Sequence, residues 1–273
     1  MPSLASRSKG GAAWRLRRAS HVATHWPMLW WRLAGHGDFE LAGERIRFNE
    51  VGRYPYDWWA LRARAGTWEP ETLRRFAEVV APGDIVFDVG AQFGPYTLLA
   101  SRGVGAQGRV VAFEPDPVAR RLLGRNLTTE GAVNVVVQKS ALSDRTGRAW
   151  LQAQKLGEGC TTLVHRPAGP AIDTLRLADF CARTELMPDV LKIDVEGAED
   201  EVLAGAGASV LERVRALLVE VHESALTQRG VDIKEFLERT AAPFESVEVL
   251  DSREPGNYTV LYLAAAGMAA VGA

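Results

Sequence analysis

Four apolar segments of the chain end in acidic side chains that could do chemistry. The ends are Asp88, Glu114, the run Asp194-Val195-Glu196 and the run Glu220-Val221-His222. Residues two apart share one face of a strand, so the members of each run point the same way. A charge buried in a strand is costly unless it is paired or belongs to a site. We therefore expect these side chains to meet beyond the carboxyl ends of a parallel sheet, where such sheets bind ligands.

The first of these segments predicts a nucleoside-cofactor site. Four apolar residues and Asp88 lead into the turn Gly90-Ala91-Gln92-Phe93-Gly94, and glycine lets the backbone come close to a ligand. About twenty residues on, the strand Arg109–Phe113 ends in Glu114-Pro115, where an acid can accept hydrogen bonds from ribose hydroxyls. The turn lacks the middle glycine of the dinucleotide fingerprint, and no Walker lysine follows. S-adenosylmethionine, which carries a sulfonium and no phosphate, fits this pattern best.

Three alternatives stay open from these residues. A nicotinamide-dependent dehydrogenase would use the same fold, although the missing glycine disfavours it. A non-catalytic nucleoside-binding module would keep the fold without turnover. An ordinary strand-to-helix turn followed by a chance acid is the third, and it needs no ligand.

Composition restricts the class of protein. The chain has 273 residues, 47% hydrophobic and 24% charged, which is typical of a globular protein. Net charge is −2, but the first 37 residues are basic and the remainder is acidic, which disfavours nucleic-acid binding. Cys160 and Cys181 form no metal-binding or disulfide pattern and suit a reducing compartment. With no apolar run of about 18 residues, we expect a cytoplasmic protein without a spanning helix.

We divide the chain into an N-terminal extension, residues 1–80, and an α/β domain, residues 81–273. The extension holds seven of the eight tryptophans, and Trp alternates with Arg between residues 14 and 32. A helix packed on the domain explains this composition, and so does a peripheral membrane or glycolipid contact. A hairpin is predicted over Phe39–Phe48 with Gly43 in its turn, and a helix is predicted to begin near Pro70.

Strands and helices alternate through the second part. Strands are predicted at 85–89, 109–114, 134–138, 190–195, 216–222, 245–250 and 258–264, with helices between the first five. This alternation indicates a mostly parallel, Rossmann-like sheet covered on both faces. The last two strands have no helix between them, so one strand should run antiparallel. Residues 148–167 give only a short strand and a Gly-rich loop at 157–159.

Several motifs together resemble the FkbM family of S-adenosylmethionine-dependent methyltransferases. They are Val86-Phe-Asp-Val-Gly-Ala-Gln-Phe-Gly, Phe113-Glu-Pro-Asp, Ala141-Leu-Ser-Asp, Asp173-Thr-Leu and Leu191-Lys-Ile-Asp-Val-Glu-Gly-Ala-Glu. The resemblance covers roughly residues 84–223, and Gln92 stands where the family usually has Asn. It implies a seven-stranded sheet and methyl transfer to a hydroxyl of a sugar, glycolipid or polyketide-type molecule.

The resemblance also implies roles for individual residues. Asp88, Gly90, Ala91 and Gly94 would hold the methionine part of the cofactor, and Glu114 would bind the ribose. Ser140, Ala141 and Leu142 would border the adenine, while the Asp194 region would face the methyl group and the acceptor. Tyr96 and Pro115 complete the expected cofactor-binding set.

An alcohol is a weak nucleophile, so a base should take its proton as the new bond forms. His222 titrates in the right range and is the first choice, followed by Asp194 or Glu196. Asp194, Glu196 and Glu220 could hold magnesium, because this ion prefers oxygen ligands, but we expect no metal. The expected partner is a small-molecule or glycan acceptor, and a homodimer is left open.

Overall fold

The computed structural model describes residues 36–49, 57–153, 161–254 and 257–263. The predictions for residues 14–32, for the loop at 157–159 and for the Ala/Gly tail lie outside these ranges. Among the described residues the elements are, in chain order, β1 (His36–Leu41), β2 (Glu44–Asn49), α1 (Asp57–Arg64), α2 (Pro70–Val79), β3 (Ile85–Val89), α3 (Pro95–Val104), β4 (Arg109–Phe113), α4 (Pro117–Glu130), β5 (Val135–Gln138), β6 (Ala141–Leu142), β7 (Gly147–Ala153), β8 (Thr161–Val164), β9 (Ala171–Leu175), α5 (Leu177–Thr184), β10 (Val190–Ile193), α6 (Glu199–Leu211), β11 (Ala216–His222), α7 (Glu223–Gln228), α8 (Ile233–Ala241), β12 (Ser246–Glu254) and β13 (Asn257–Leu263).

A seven-stranded sheet organises the molecule in the order β12-β13-β11-β10-β3-β4-β5. Strand β13 is antiparallel to both of its neighbours, and the pairs from β11 to β5 are parallel. The predicted Rossmann-like sheet with one antiparallel strand is therefore confirmed. The chain moves outward from β3 in one direction through β4 and β5, and in the other through β10 and β11. The gap beyond the ends of β3 and β10 is thus the switch point at which such sheets bind ligands.

Alternate side chains on the central strands belong to two different hydrophobic cores. Val86 belongs to one buried cluster and the adjacent Phe87 to the other, because neighbouring strand residues point to opposite faces. The first cluster also contains residues of the hairpin and of the helices α1 and α2. Trp59, which is 1% exposed, lies there with four aromatic neighbours, Phe39, Phe48, Trp68 and Phe93. Burial of such rings stabilises this packing by roughly 2–3 kcal/mol each.

The β1–β2 hairpin forms where it was predicted. Its strands pair antiparallel, and Ala42 and Gly43 in the turn have φ of 49° and 83°. Two successive positive φ values match the right-handed twist of the flanking strands. The hairpin makes its own two-stranded sheet and lies next to α4, where Asn126 accepts a hydrogen bond from the Asn49 backbone N–H (2.7 Å).

A second, four-stranded sheet, in the order β6-β9-β7-β8, was not predicted. The sequence reading found only a short strand in this region, whereas β7 pairs antiparallel with both β8 and β9. Its inner side chains join Ala198 in a small buried cluster. Short strands paired over a long loop give a weak periodic signal, which explains the omission. This sheet forms one side of the cleft at the carboxyl ends of the main sheet.

The helices follow the predicted positions closely. Helix α3 begins at Pro95 as expected and ends at Val104, and α6 begins at Glu199 and has a non-helical residue, Gly207, near its end. Helices α1 and α7 were not predicted. Across the described ranges no helix is both long enough and apolar enough to cross a bilayer. The proposed boundary at residue 80 stays a prediction.

Candidate active site

An open cleft of about 890 Å³, counting its mouth, lies at the switch point between β3 and β10. It is lined by the turn after β3, the end of β4, the start of β6, the second sheet and the loop after β10. Its lining residues that carry the site are Trp68, Gly90, Ala91, Gln92, Tyr96, Glu114, Pro115, Ala141, Leu142, Lys192, Asp194 and Glu196.

The glycines of the turn after β3 make room for neighbouring parts of the protein. Gly90 has φ of 83°, and a Cβ there would lie 1.7 Å from the carbonyl oxygen of Asp194. Gly94 has φ of 100°, and a Cβ there would lie 2.5 Å from the Leu123 side chain. Gln92 between them adopts φ of 53° without being glycine. The turn is therefore shaped by contacts with the loop after β10 and with α4, which fix its backbone beside the cleft.

Glu114 is held in place by the backbone. Its Oε2 accepts a hydrogen bond from the Gln92 N–H and its Oε1 from the Asp116 N–H, each at 2.7 Å. The side chain is 5% exposed. Burial raises the pKa of Glu114 to about 7, and the two backbone hydrogen bonds limit the rise. A carboxylate fixed in this way at the cleft can accept hydrogen bonds from ligand hydroxyls without first being ordered.

Asp88 does not line the cleft but contacts Lys192, a residue that does. The carboxylate is fully buried and accepts a hydrogen bond from the Thr97 hydroxyl at 2.5 Å. Its Oδ1 lies 3.5 Å from Lys192 Nζ. The sequence reading placed Asp88 against the cofactor, whereas the structure pairs it with a lysine. Contact with the sulfonium side of a ligand would pass through Lys192 and the turn rather than through Asp88 itself.

Lys192 lies between Asp88 in the core and Asp194 at the cleft. Its Nζ lies 3.3 Å from Asp194 Oδ2 and 4.9 Å from the centre of the Tyr96 ring. Burial alone would lower the pKa of Lys192, but the charges of Asp194, Asp88 and other acids outweigh it and raise the pKa. The ammonium therefore stays charged and links Asp88 in the core to Asp194 at the cleft.

His222 is a charged hydrogen-bond donor in this arrangement. Its Nδ1 lies 2.8 Å from Glu199 Oε1, and its Nε2 lies 3.3 Å from Glu196 and 3.8 Å from Glu220. Burial alone would lower the pKa of His222, but the hydrogen bond to Glu199 and the nearby carboxylates raise it to about 10. An imidazolium cannot accept a proton, and the ring does not line the cleft. The structure thus favours the carboxylates over His222 as the base.

The loop after β10 carries those carboxylates. Asp194 and Glu196 both line the cleft and are partly exposed. Glu196 has φ of 56°, and Gly197 follows with φ of 97°, where a Cβ would lie 2.5 Å from Ala225. A non-glycine residue in this region is uncommon and is often found at functional sites. The loop holds both acids toward the same space.

Oxygen and nitrogen ligand atoms of Asp194, Glu220 and His222 lie within 4.8 Å of one another. This set differs from the one weighed from the sequence, because His222 takes the place of Glu196. A cation there would have to displace a proton from the His222 imidazolium, which the carboxylates around the ring stabilise. Among the described residues a second such group, Asp144, His165 and Glu201, lies at the surface.

The structure brings together most of the predicted site residues. Those that line the cleft are Gly90, Ala91, Tyr96, Glu114, Pro115, Ala141, Leu142, Asp194 and Glu196. Those outside its lining are Asp88, Gly94, Ser140 and His222. The sequence reading missed Trp68 and three residues of the second sheet, Leu151, Thr161 and Leu163. Trp68 comes directly before Glu69-Pro70, which was read only as a helix start.

The fit of an adenosyl cofactor can be judged from this geometry. The cleft offers one preformed carboxylate, Glu114, at its β4 end and further acids, Asp194 and Glu196, at its β10 end. Acids suit the hydroxyls of a ribose and the positive charge of a sulfonium. Small and apolar residues of β6 in the second sheet, Ala141 and Leu142, line the cleft on that side. The residues present therefore fit the cofactor that the sequence indicated.

Sheet order and cleft define a Rossmann-like methyltransferase fold. The chain belongs to the FkbM methyltransferase family, since residues 88–242 match the family described as Methyltransferase FkbM domain. S-adenosylmethionine is the cofactor that membership of this family indicates.

Named relatives are similar over much of the chain. The hexuronic acid methyltransferase AglP of Haloferax volcanii is 28% identical over 178 residues, covering 65% of this chain and 69% of that protein. The 31-O-demethyl-FK506 methyltransferase FkbM of Streptomyces tacrolimicus is 33% identical over 178 residues, covering 52% of this chain and 66% of that protein. The crystal structure of a methyltransferase FkbM from Methylobacillus flagellatus KT has a TM-score of 0.49 at 17% identity, covering 66% of this chain and 43% of that chain.

Proposed function

We propose that the protein is an S-adenosylmethionine-dependent O-methyltransferase whose acceptor is a hydroxyl of a sugar, a glycolipid or a polyketide-type molecule. One observation carries this proposal: a backbone-fixed acid, Glu114, and two acceptor-side acids, Asp194 and Glu196, line one cleft at the switch point of the sheet. The names of two relatives, a hexuronic acid methyltransferase and a demethyl-FK506 methyltransferase, support the acceptor classes.

The residues divide the work between binding and proton transfer. The bound cofactor supplies an electrophilic methyl group. Glu114 orients the nucleoside end through its fixed carboxylate, and the turn at 90–94 sets the position of the other end. Methyl transfer needs the acceptor oxygen in line with the breaking bond, so alignment is the main contribution of the cleft.

Asp194 or Glu196 takes the proton of the acceptor hydroxyl as the oxygen–carbon bond forms. Lys192 holds Asp194, and the charged ring of His222 lies beside Glu196. Each acid is thus held in position by a neighbouring cation before the acceptor arrives. His222 acts on the reaction through Glu196 and is a positioning residue in this scheme.

Calorimetry and product detection test the proposal. The wild-type chain should bind S-adenosylhomocysteine and should not bind NAD. With labelled S-adenosylmethionine it should methylate at least one member of a panel of uronic acids, neutral sugars, glycolipids and macrolide alcohols. Binding of the nucleoside without transfer to any acceptor would indicate the non-catalytic module instead, and NAD binding alone would indicate a dehydrogenase.

Three further predictions accompany the proposal and concern the surroundings of the enzyme. Cytoplasmic location is supported by Cys181, a buried free thiol that suits a reducing compartment. A peripheral lipid contact through residues 14–32, and a homodimer, stay predictions that sedimentation with and without vesicles would check.

A further inference from the structure

A short corner of chain, Trp68-Glu69-Pro70, reaches the cleft from outside the region that matches the family. Trp68 lines the cleft, and Glu69 beside it is 7% exposed. The family match begins at residue 88, so this corner belongs to the part of the chain to which the sequence assigned no chemistry. A buried acid next to a cleft that binds a charged ligand needs an explanation.

The corner turns the Glu69 carboxylate away from the helix that it precedes. Glu69 has φ and ψ of 45°, in the left-handed region, and its side chain makes no capping hydrogen bond to α2. An acid at this position usually accepts hydrogen bonds from the first N–H groups of the helix. Here the carboxylate accepts a hydrogen bond from the Tyr96 hydroxyl instead. The surroundings evidently over-determine an unfavourable backbone conformation, which is a feature of functional sites.

Tyr96 connects Glu69 to the charged end of the cleft. Its ring lines the cleft and makes edge contacts with Trp68, at 5.8 Å between centroids, and with Phe76, at 5.0 Å. Lys192 Nζ lies over the same ring and also holds Asp194. The hydroxyl hydrogen bond and the ring contacts together restrict the orientation of the ring.

We propose that Glu69 is a positioning residue of the cofactor cleft, which it shapes by anchoring the Tyr96 hydroxyl. The inference rests on the proposed function, because it takes the cleft to bind an adenosyl ligand. A ring already held in its bound orientation loses little freedom when the ligand arrives, so anchoring strengthens binding. Trp68, on the same corner, lines the cleft beside it.

The affinity for S-adenosylhomocysteine, measured by calorimetry on the full chain, tests this role without needing an acceptor. Glu69→Ala and Tyr96→Phe should each weaken binding about tenfold. The double variant should be no weaker than either single one, because both remove the same hydrogen bond. Glu69→Gln should retain most of the affinity, since its amide oxygen can still accept from the Tyr96 hydroxyl.

Leu73→Ala is the matched control for stability. Leu73 is buried in α2 and does not line the cleft, so its truncation should lower Tm and leave the affinity unchanged. If Glu69→Ala does not fold, Tyr96→Phe and Glu69→Gln still decide the question. Affinities within twofold of wild type in both Glu69→Ala and Tyr96→Phe, additive losses, or an equal loss in Leu73→Ala would overturn the inference.

Failure of the inference can be told apart from failure of the proposed function. A wild-type chain that binds S-adenosylhomocysteine but methylates no acceptor loses the proposed activity while the corner keeps its role in binding. Normal methylation with unchanged affinity in the variants removes only the role of Glu69. Absence of S-adenosylhomocysteine binding by the wild type overturns both.

Discussion

The two ends of the cleft hold their acids by different means. At the β4 end, Glu114 is fixed by two backbone N–H groups. At the β10 end, Asp194 and Glu196 are fixed by the side-chain cations Lys192 and His222. Backbone donors do not titrate, and only a substitution to proline removes one. A side-chain cation can titrate, and many substitutions remove it. We infer that the nucleoside end is rigid and that the acceptor end is where chemistry and sensitivity to substitution concentrate.

Breaking the acceptor end should have the largest effect. In Asp194→Asn and in Glu196→Gln the residue that serves as the base loses its ability to take a proton, so kcat should fall about 10²- to 10⁴-fold in one of the two. The affinity for S-adenosylhomocysteine should change less than about fivefold, because Glu114 is untouched. Rates of methyl transfer and calorimetry on the same preparations measure the split.

Asp200→Asn serves as the control for this pair. Asp200 is an acid in the first turn of α6, ion-paired with Arg239 at the surface and outside the cleft lining. The kcat of Asp200→Asn should match that of the wild type. Full turnover in both Asp194→Asn and Glu196→Gln would remove the carboxylates from the mechanism and reopen the question of the base.

Breaking the nucleoside end should mainly affect binding. Glu114→Gln removes the charge that the ribose hydroxyls would meet, and a hydrogen bond to a charged group contributes about 1.5–3 kcal/mol. We expect S-adenosylhomocysteine to bind about 10- to 100-fold more weakly, with kcat at saturating cofactor within about threefold of wild type. Glu212→Gln, at the exposed end of α6, is the matched control. A large fall in kcat with unchanged affinity would reverse the assignment of the two ends.

The same contrast explains how far the sequence could predict the molecule. The main sheet was predictable because strands such as Ile85–Val89 are short, apolar and followed by helices. Glu114 was predictable because its role depends on its spacing from the turn. The protonation of His222 was not predictable, because it depends on the carboxylates of Glu199 and Glu196. These carboxylates approach the ring through a loop in which Glu196 and Gly197 have positive φ.

The contribution of the N-terminal part to the cleft was equally hidden. Trp68 and Glu69 looked like an aromatic residue and an acid before a helix, and only the fold places them beside Tyr96. The second sheet was missed because its strands pair across a loop and one of them, β6, has two residues. Long-range pairing of this kind leaves little periodicity in the sequence.

The smallest effect that we expect is a pH dependence of stability, which arises from His222 at the β10 end of the cleft. The folded-state pKa of His222 is raised to about 10 from its ordinary 6.5. The stability that its charged form provides should therefore be fully present below about pH 6.5 and be lost as pH rises toward 10. Relative to His222→Gln, the wild-type Tm should fall over this interval, by a few degrees for each kcal/mol lost.

His165→Gln is the control for that titration, because His165 contacts Glu201 outside the cleft.

Glu114 gives the opposite pH dependence, and it concerns ligand binding. Its pKa is raised to about 7, so affinity for S-adenosylhomocysteine should rise between pH 6 and pH 8 as the carboxylate ionises. That rise should vanish in Glu114→Gln and persist in His222→Gln. A wild-type Tm that tracks His222→Gln at every pH would mean that folding does not shift the pKa of His222. The ring would then be neutral above about pH 6.5, and His222 would return as the first candidate for the base.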